Sequence, residues 1–389
     1  MTARITMAAA LALLLVLVSC GDDGGGSTAT SAATSVVVTD SSVNLRGVCP
    51  DKVVVQTDWF PESEHGATFE LLGSGYKPSK ASGSVTGPLV FEGKNSGVSL
   101  EIRGGGPLTG NQNVTSQMYQ DDSILLGFVN TDEAIKLYAT NPTVAVVAPQ
   151  DKSPMAIMWR EDKHPNAKTI VDIAKEVNRI SVFAGTTFID YLVAAGLVPE
   201  GKVDRNYQGD KVLTRDGDTA AQQGFITSEP YQYATLASGP IKVADQLIDD
   251  IGWRVYPEAL AVKASKLKDP KVQECLARLV PMFQHAQIDY AKDPSRADAA
   301  IIATNKAYDS FWHYAQGDAD FSLKAQLTAG IIANGSNSTL GDFDLGRVDD
   351  LITKARPLFK SQNIDVPAGL RAENIVTNQF IDPSVSFTP

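Results

Sequence analysis

Residues 52–66, KVVVQTDWFPESEHG, run from three consecutive valines into a turn that holds a tryptophan, a proline, three acids and a histidine. The valines read as a buried strand, and Pro61 cannot continue a central strand because it has no N–H to pair. A second strand is expected over residues 98–103 (VSLEIR), with a helix over 65–72 between them that ends at Gly73, Gly75 and Pro78. Residues 79–97 are rich in Ser, Gly and Lys and read as a surface loop. A strand at 123–129, a helix at 132–138, and strands at 144–148 and 155–159 follow.

From Ile170 the alternation continues: a helix to Val177, a strand at 180–183, and a helix from the Gly185-Thr186-Thr187 turn to Ala195. Then come a strand near 212–215, a helix near 218–223, a short strand at 225–227 and another strand after Ile241. Beyond Tyr256 the pattern is mainly helical, with segments at 272–292, 296–316, 325–333 and 347–361. Strands alternating with helices imply right-handed crossovers and mostly parallel sheets. The order predicts an α/β fold of two lobes with a helical C-terminal region: 51–150, then 151–255, then 256–389 as a return to the first lobe plus C-terminal helices. Crossings at 148–156 and 252–260 would make a hinge. Ligands of open α/β sheets sit beyond the carboxyl ends of strands, so the 57–66 turn is expected to face an interlobe cleft.

The first nineteen residues carry one basic residue, Arg4, then an apolar run from Met7 to Val18 that is too short for a permanent membrane helix. The ending Leu17-Val18-Ser19-Cys20 resembles a bacterial lipobox, which implies a signal peptide over 1–19 and a lipid on Cys20. The other reading is an ordinary secretory signal with an incidental cysteine. Sixteen of the twenty-five residues 21–45 are Gly, Ser, Thr or Ala, so residues 20–50 read as lipidated cysteine plus flexible tether. A net charge of -11 argues against nucleic acid or an anionic lipid surface as partner, leaving the lipid anchor as the membrane contact. Cys49 and Cys275 are either a disulfide of an exported chain or two separate buried thiols.

Several motifs resemble a family. Asp58, Trp59, Pro61 and His65 match a D-W-x-P-N-x-x-H-A-G pattern, with Glu62 in place of the asparagine and Gly66-Ala67 in place of Ala-Gly. Gln150 to Pro154 (QDKSP) is close to Q-K-S-P, Thr227 to Tyr231 (TSEPY) is like N-E-P, and GFVNTDEA (127–134) and residues 185–197 also fit. Taken in order, over roughly residues 52–300, the chain resembles the type II periplasmic solute-binding proteins of ABC importers, in the branch related to thiamine-pyrimidine synthases. The resemblance implies an extracytoplasmic, lipid-anchored monomer that captures a small solute and presents it to an ABC permease, without a cofactor.

On that basis the candidate ligand-binding residues are Trp59, Glu62, His65, Gly105, Ser153, Pro154, Thr187, Tyr191, Glu229 and Tyr231. Trp59 offers a flat face to a heteroaromatic ring, or is simply core. Glu62 or Glu229 can accept from an exocyclic amine while Ser153 or Thr187 donates, and neutral His65 has one donor and one acceptor. The plainer readings are a capping or core histidine at 65, solvated first-turn acids at Glu62 and Glu64, and an ordinary loop at Glu229. Gly105 lies in a Gly-Gly-Gly-Pro run without a nucleotide-binding signature and would let backbone approach the ligand. The aromatics at 311–314 read as helical core.

A thiamine-type pyrimidine precursor is the first expectation for the solute, riboflavin or another flat heterocycle the second, and a taurine, sulfonate or nitrate-like anion the third. For an anion only Arg103 and the Gly185–Thr187 turn stand out. The rival classes are a pyrimidine-synthase-like enzyme and a sensing lipoprotein without a transporter. Four widely separated histidines show no metal spacing, and no nucleophile motif is present.

Overall fold

A computed structural model describes residues 43–209 and 211–388. The expected signal peptide 1–19, the lipidation site Cys20 and the tether as far as residue 42 lie outside the described residues. Residues 43–50, expected as the end of the tether, pack onto the fold: Val43 and Leu45 are buried, and Cys49 is disulfide-bonded to Cys275.

The first lobe begins with β1 (Lys52–Gln56), in which every residue after Lys52 is buried. It continues through β2 (Lys77–Ser79), β3 (Ser84–Phe91), β4 (Lys94–Arg103), β5 (Leu126–Val129) and β6 (Thr143–Val147). The chain then crosses to a second sheet, built from β7 (Met155–Arg160), β8 (Arg179–Ser181), β9 (Val203–Asp204), β10 (Ala220–Phe225) and β11 (Val243–Leu247). It returns to the first sheet as β12 (Ala259–Lys263). The seven-stranded sheet has the order β2-β3-β4-β1-β5-β12-β6, and the five-stranded sheet β11-β7-β10-β8-β9. β1 is parallel to β4 and β5, whereas β12 inserts antiparallel between β5 and β6. The two-lobed α/β architecture with two crossings and a helical C-terminal region, expected from the sequence, is what the chain adopts.

Two apolar clusters account for most of the core. One joins Val53, Val55, Leu100 and Ile102 to Phe283 and Tyr290 of the helix Pro270–Lys292. The other runs from Val54 and Val129 of the first sheet through Ile157, Trp159 and Ile180 of the second to Ile352 and Phe359 of the helix Leu345–Ser361. That helix packs on both lobes and backs the hinge, touching the helices Thr131–Leu137 and Thr187–Ala194. Among the described residues no helix is long and apolar enough to cross a membrane.

Several expectations are corrected. The sheets are mixed rather than mostly parallel, because β12 and β7 each pair antiparallel on both sides and β2, β3 and β4 form a meander. The helix expected over 325–333 ends at Thr328. Residues 79–97 are a hairpin, not a surface loop: β3 and β4 pair through Phe91 and Lys94 around Glu92-Gly93, both at positive φ as a type I′ turn requires. Residues 212–216 are a helix and 220–225 a strand, the reverse of the pattern read from sequence. Ala and Gln favour helices in isolation, but here β10 lies between β7 and β8 with its glutamines hydrogen-bonded inside the lobe. Residues 311–314 are not helical core; they lie on the connection between the helices Ser295–Tyr308 and Gln316–Thr328, with Phe311 67% exposed.

Candidate functional site

β6 ends at Val147 and β7 starts at Met155, while β11 ends at Leu247 and β12 starts at Ala259, so two short segments join the lobes. Beside them lies a cavity of about 390 Å³. The first lobe supplies Asn111, Asn113, Asn130, Asp132, Glu133 and Lys136; the second supplies Thr186, Thr187 and Phe188; the crossings supply Ser153, Trp253 and Val255. Two other hollows, each of about 510 Å³, are lined by residues of the first lobe alone and so are not built by lobe closure.

The strands aim this chemistry. The turn after β5 opens the helix Thr131–Leu137 and puts Asp132 and Glu133 in its first turn, where the helix dipole favours carboxylates. Asp132 ties three parts of the molecule together. Its Oδ2 accepts from the Thr187 hydroxyl of the second lobe and from the Trp253 indole Nε1 at 3.3 Å on the returning crossing. Glu133 accepts from the Thr115 backbone N–H at 3.0 Å. Burial pushes its carboxyl up to about 7, with the carboxylates of Asp132 and Asp58 adding to the effect. Among the lining residues Asp132 and Glu133 stand against the single Lys136, and a Glu133 held at about 7 is only partly ionised at neutral pH.

A second group of acids lies where the 57–66 turn meets the other elements. Glu62, Glu64 and His65 are buried, as is Glu258 at the start of the return to the first sheet. Burial raises the Glu62 carboxyl well above the usual range, and the nearby carboxylates of Glu64, Glu258, Asp58 and Glu229 raise it further. The cover is the helix Gln316–Thr328, which reaches from the first lobe to the second. Its Ser322 hydroxyl donates to Glu64 at 3.3 Å, Gln326 donates to Ser63 at 3.1 Å, and its Phe321 ring lies 5.5 Å from Tyr231. Glu62 and Glu64 are therefore not solvated first-turn residues.

Of the ten residues expected at the ligand, Ser153 and Thr187 line the cavity. Pro154 and Tyr191 are close to it in the fold: the Pro154 carbonyl accepts from the Ile226 N–H, and the Tyr191 ring lies 5.3 Å from Trp253. Trp59 packs with Phe60 and Trp312, centroids 5.9 and 5.8 Å away. Gly105 serves the chain itself, since a Cβ there would sit 2.3 Å from the Thr57 carbonyl oxygen. Glu229 accepts from the Phe225 N–H at 2.7 Å, closing its own turn; burial pushes its carboxyl up to about 7. Glu62, His65 and Tyr231 belong to the covered acidic group and its rim. Arg103 is committed to Glu101 and Asp121, away from the cavity. Gly66, a departure from the family pattern, has a direct cause: a Cβ there would sit 2.2 Å from the Tyr290 ring.

Asn130, Asp132 and Glu133 lie in the GFVNTDEA stretch, after a strand, where a ligand-facing turn is expected, yet none was singled out from sequence. Arg347 gave no sequence signal. It is buried in the first turns of the helix Leu345–Ser361 and donates to the Asp151 carboxylate (3.0 Å) on one crossing and to the Arg254 (3.2 Å) and Val255 (2.6 Å) carbonyls on the other. Its guanidinium lies 4.0 Å over the Tyr256 ring.

No family model matches the chain, and no curated protein matches it in sequence. Solved structures resemble it. One is described as the periplasmic sulfonate-binding protein of a sulfonate ABC transporter from Methylobacillus flagellatus, with 13% identity, 85% of this chain and 93% of that one covered, and a TM-score of 0.49. Another is described as an ABC transporter from Parabacteroides distasonis, with 12% identity, 86% and 100% covered, and a TM-score of 0.47. A Candida albicans gene product described as having the generic periplasmic binding protein fold shows 14% identity, 86% and 98% covered, and a TM-score of 0.48.

Proposed function

We propose that the protein is an extracytoplasmic solute-binding lipoprotein, held to the membrane by a lipid on Cys20, that captures a small solute between its lobes and presents it to an ABC importer. The observation that carries this reading is the cavity of about 390 Å³ to which both lobes and both crossings contribute. Its size suits a small molecule, and its mixture of amides, carboxylates and a few apolar side chains suits recognition by hydrogen bonds. A guest that touches both walls is bound more tightly by the closed form than by an open one, and this difference drives closure.

The solute class proposed is an amine-bearing heteroaromatic, with a thiamine-type pyrimidine precursor first. An exocyclic amine donates to Glu133, because Asp132 already accepts from the Glu133 N–H on Oδ1 and from Thr187 and Trp253 on Oδ2, while the amide of Asn111 or Asn130 serves the ring nitrogens. A sulfonate or nitrate would meet Asp132, a partly ionised Glu133 and one lysine, so the anion reading stays in last place.

The test is thermal unfolding of the chain lacking residues 1–20 against thiamine pyrimidines, riboflavin, aliphatic sulfonates and nitrate. A ligand at a hundred times its dissociation constant adds about 2.7 kcal/mol, a readily visible rise in Tm. The amine-bearing heterocycles are expected to give that rise. A rise with sulfonates or nitrate alone would overturn the solute class, and silence across the panel in folded, ligand-free protein would remove the support for solute capture.

A further inference from the structure

The covered acidic group contains an arrangement that the capture of an organic solute does not use. One donor atom each of Asp58, His65 and Glu258 lies within 4.8 Å of the other two. His65 Nε2 is 3.1 Å from Asp58 Oδ1 and 4.0 Å from Glu258 Oε2. Glu258 is 2% exposed, and neither of its carboxylate oxygens has a hydrogen-bond partner. A buried carboxylate aimed at a histidine and a second carboxylate, with both oxygens idle, is costly unless a proton or another cation completes it.

The surroundings fix the histidine and leave one side open. The His65 side chain has no exposed surface, and its ring is held edge-on against Phe128 with centroids 5.0 Å apart. Asp58 keeps 33% of its side chain exposed, so solvent reaches the group past it. The ligands come from two separate places: Asp58 and His65 from the turn after β1, and Glu258 from the end of the returning crossing.

We infer that Asp58, His65 and Glu258 form a binding site for a divalent transition-metal ion, entered past Asp58 and fastening the first turn of the fold to the returning crossing. The donor set decides the class. One imidazole and two carboxylates suit ions such as Zn²⁺ or Mn²⁺, whereas Ca²⁺ takes six to eight oxygens and Mg²⁺ keeps most of its water. Ligand distances of about 2.0–2.2 Å place neighbouring donors about 3.0 Å apart in octahedral and about 3.4 Å apart in tetrahedral geometry. The His65–Asp58 pair, a hydrogen bond that the ion would replace, already stands at 3.1 Å, and the Glu258 carboxylate would have to close in by about 1–2 Å. Three protein ligands leave coordination positions for water on the Asp58 side.

The proposal does not rest on the solute reading, and its test uses metal alone. Chelator-treated chain lacking residues 1–20 is titrated with Zn²⁺ and with Mn²⁺ by calorimetry, beside Mg²⁺, Ca²⁺ and methylammonium, and Tm is followed in parallel. One equivalent of Zn²⁺ or Mn²⁺ is expected to bind and to raise Tm. Glu258→Gln, nearly isosteric, and Asp58→Asn, at the open edge, should each weaken that binding at least tenfold while the metal-free variants stay folded. Absence of stoichiometric metal binding to the folded protein would overturn the site. So would unchanged affinity in both variants, or protection by methylammonium with none by the metals, which would assign the carboxylates to an ammonium group instead.

Discussion

Glu133 lines the interlobe cavity, and burial pushes its carboxyl up to about 7. Because this folded value lies above the ordinary 4.5, the folded state holds the proton more tightly than the unfolded chain does between about pH 4.5 and 7. The sign follows: stability is highest below that window and falls as pH rises through it. Tm should therefore drop between about pH 4.5 and 7, Glu229 acting in the same direction. Glu133→Gln should flatten the drop by on the order of 1–2 kcal/mol after discounting for solvent. If the variant keeps the wild-type pH profile, the carboxyl is not held near 7. Trp59 illustrates how a residue can be visible in sequence without its role being visible. A tryptophan before a proline at a strand end suggests a ligand wall, but Trp312, far along the chain, packs against it. Trp59→Ala is expected to cost about 2 kcal/mol of stability and to leave solute affinity within about twofold. A tenfold loss of affinity at unchanged Tm would return Trp59 to the binding surface.

Among the elements, the helix Leu345–Ser361 governs how the lobes are joined, because its Arg347 reaches both crossings at once. Removing one partner of a buried ion pair leaves the other charge uncompensated, so Arg347→Met should lower stability by about 3–5 kcal/mol, read as a fall in the urea midpoint. A loss below about 1 kcal/mol would mean that the crossings hold themselves. The hairpin β3–β4 allows a change in the other direction. Glu92 occupies a positive φ that Asn adopts more readily, so Glu92→Asn should stabilise by about 0.5–1 kcal/mol. A fall in Tm would contradict the turn assignment. These elements also show what could be read in advance. β1 was legible because consecutive valines leave few alternatives, and the helix Pro270–Lys292 because its apolar positions repeat at helical spacing. The hairpin was not, because Glu92 stands where Asn or Asp usually marks such a turn. β10 was not, because Ala and Gln take their strand conformation from the neighbours β7 and β8. The site was legible to the same degree: the turns after strands were found, but Glu258 joins Asp58 and His65 only through the return of the chain.

At the scale of the molecule, a long excursion through the second lobe must come back in register, and two features hold the ends of that path. The Cys49–Cys275 disulfide links the approach to β1 with the helix Pro270–Lys292 across 226 residues of sequence. Reducing it should cost about 2–5 kcal/mol, seen as a lower Tm in reductant, and an unchanged Tm would show that the packing of Val43 and Leu45 suffices. The second feature is the contact between lobes at the cavity, where Asp132 receives Thr187 and Trp253. Capture of a guest in the interlobe cavity is the central claim, and its most direct test is a calorimetric titration of the chain lacking residues 1–20 with a thiamine-type aminopyrimidine, run on wild type and Glu133→Gln side by side. The account predicts one site per chain and at least tenfold weaker binding in the variant. Equal affinity in the two proteins, or no binding by folded and ligand-free wild type, would contradict it.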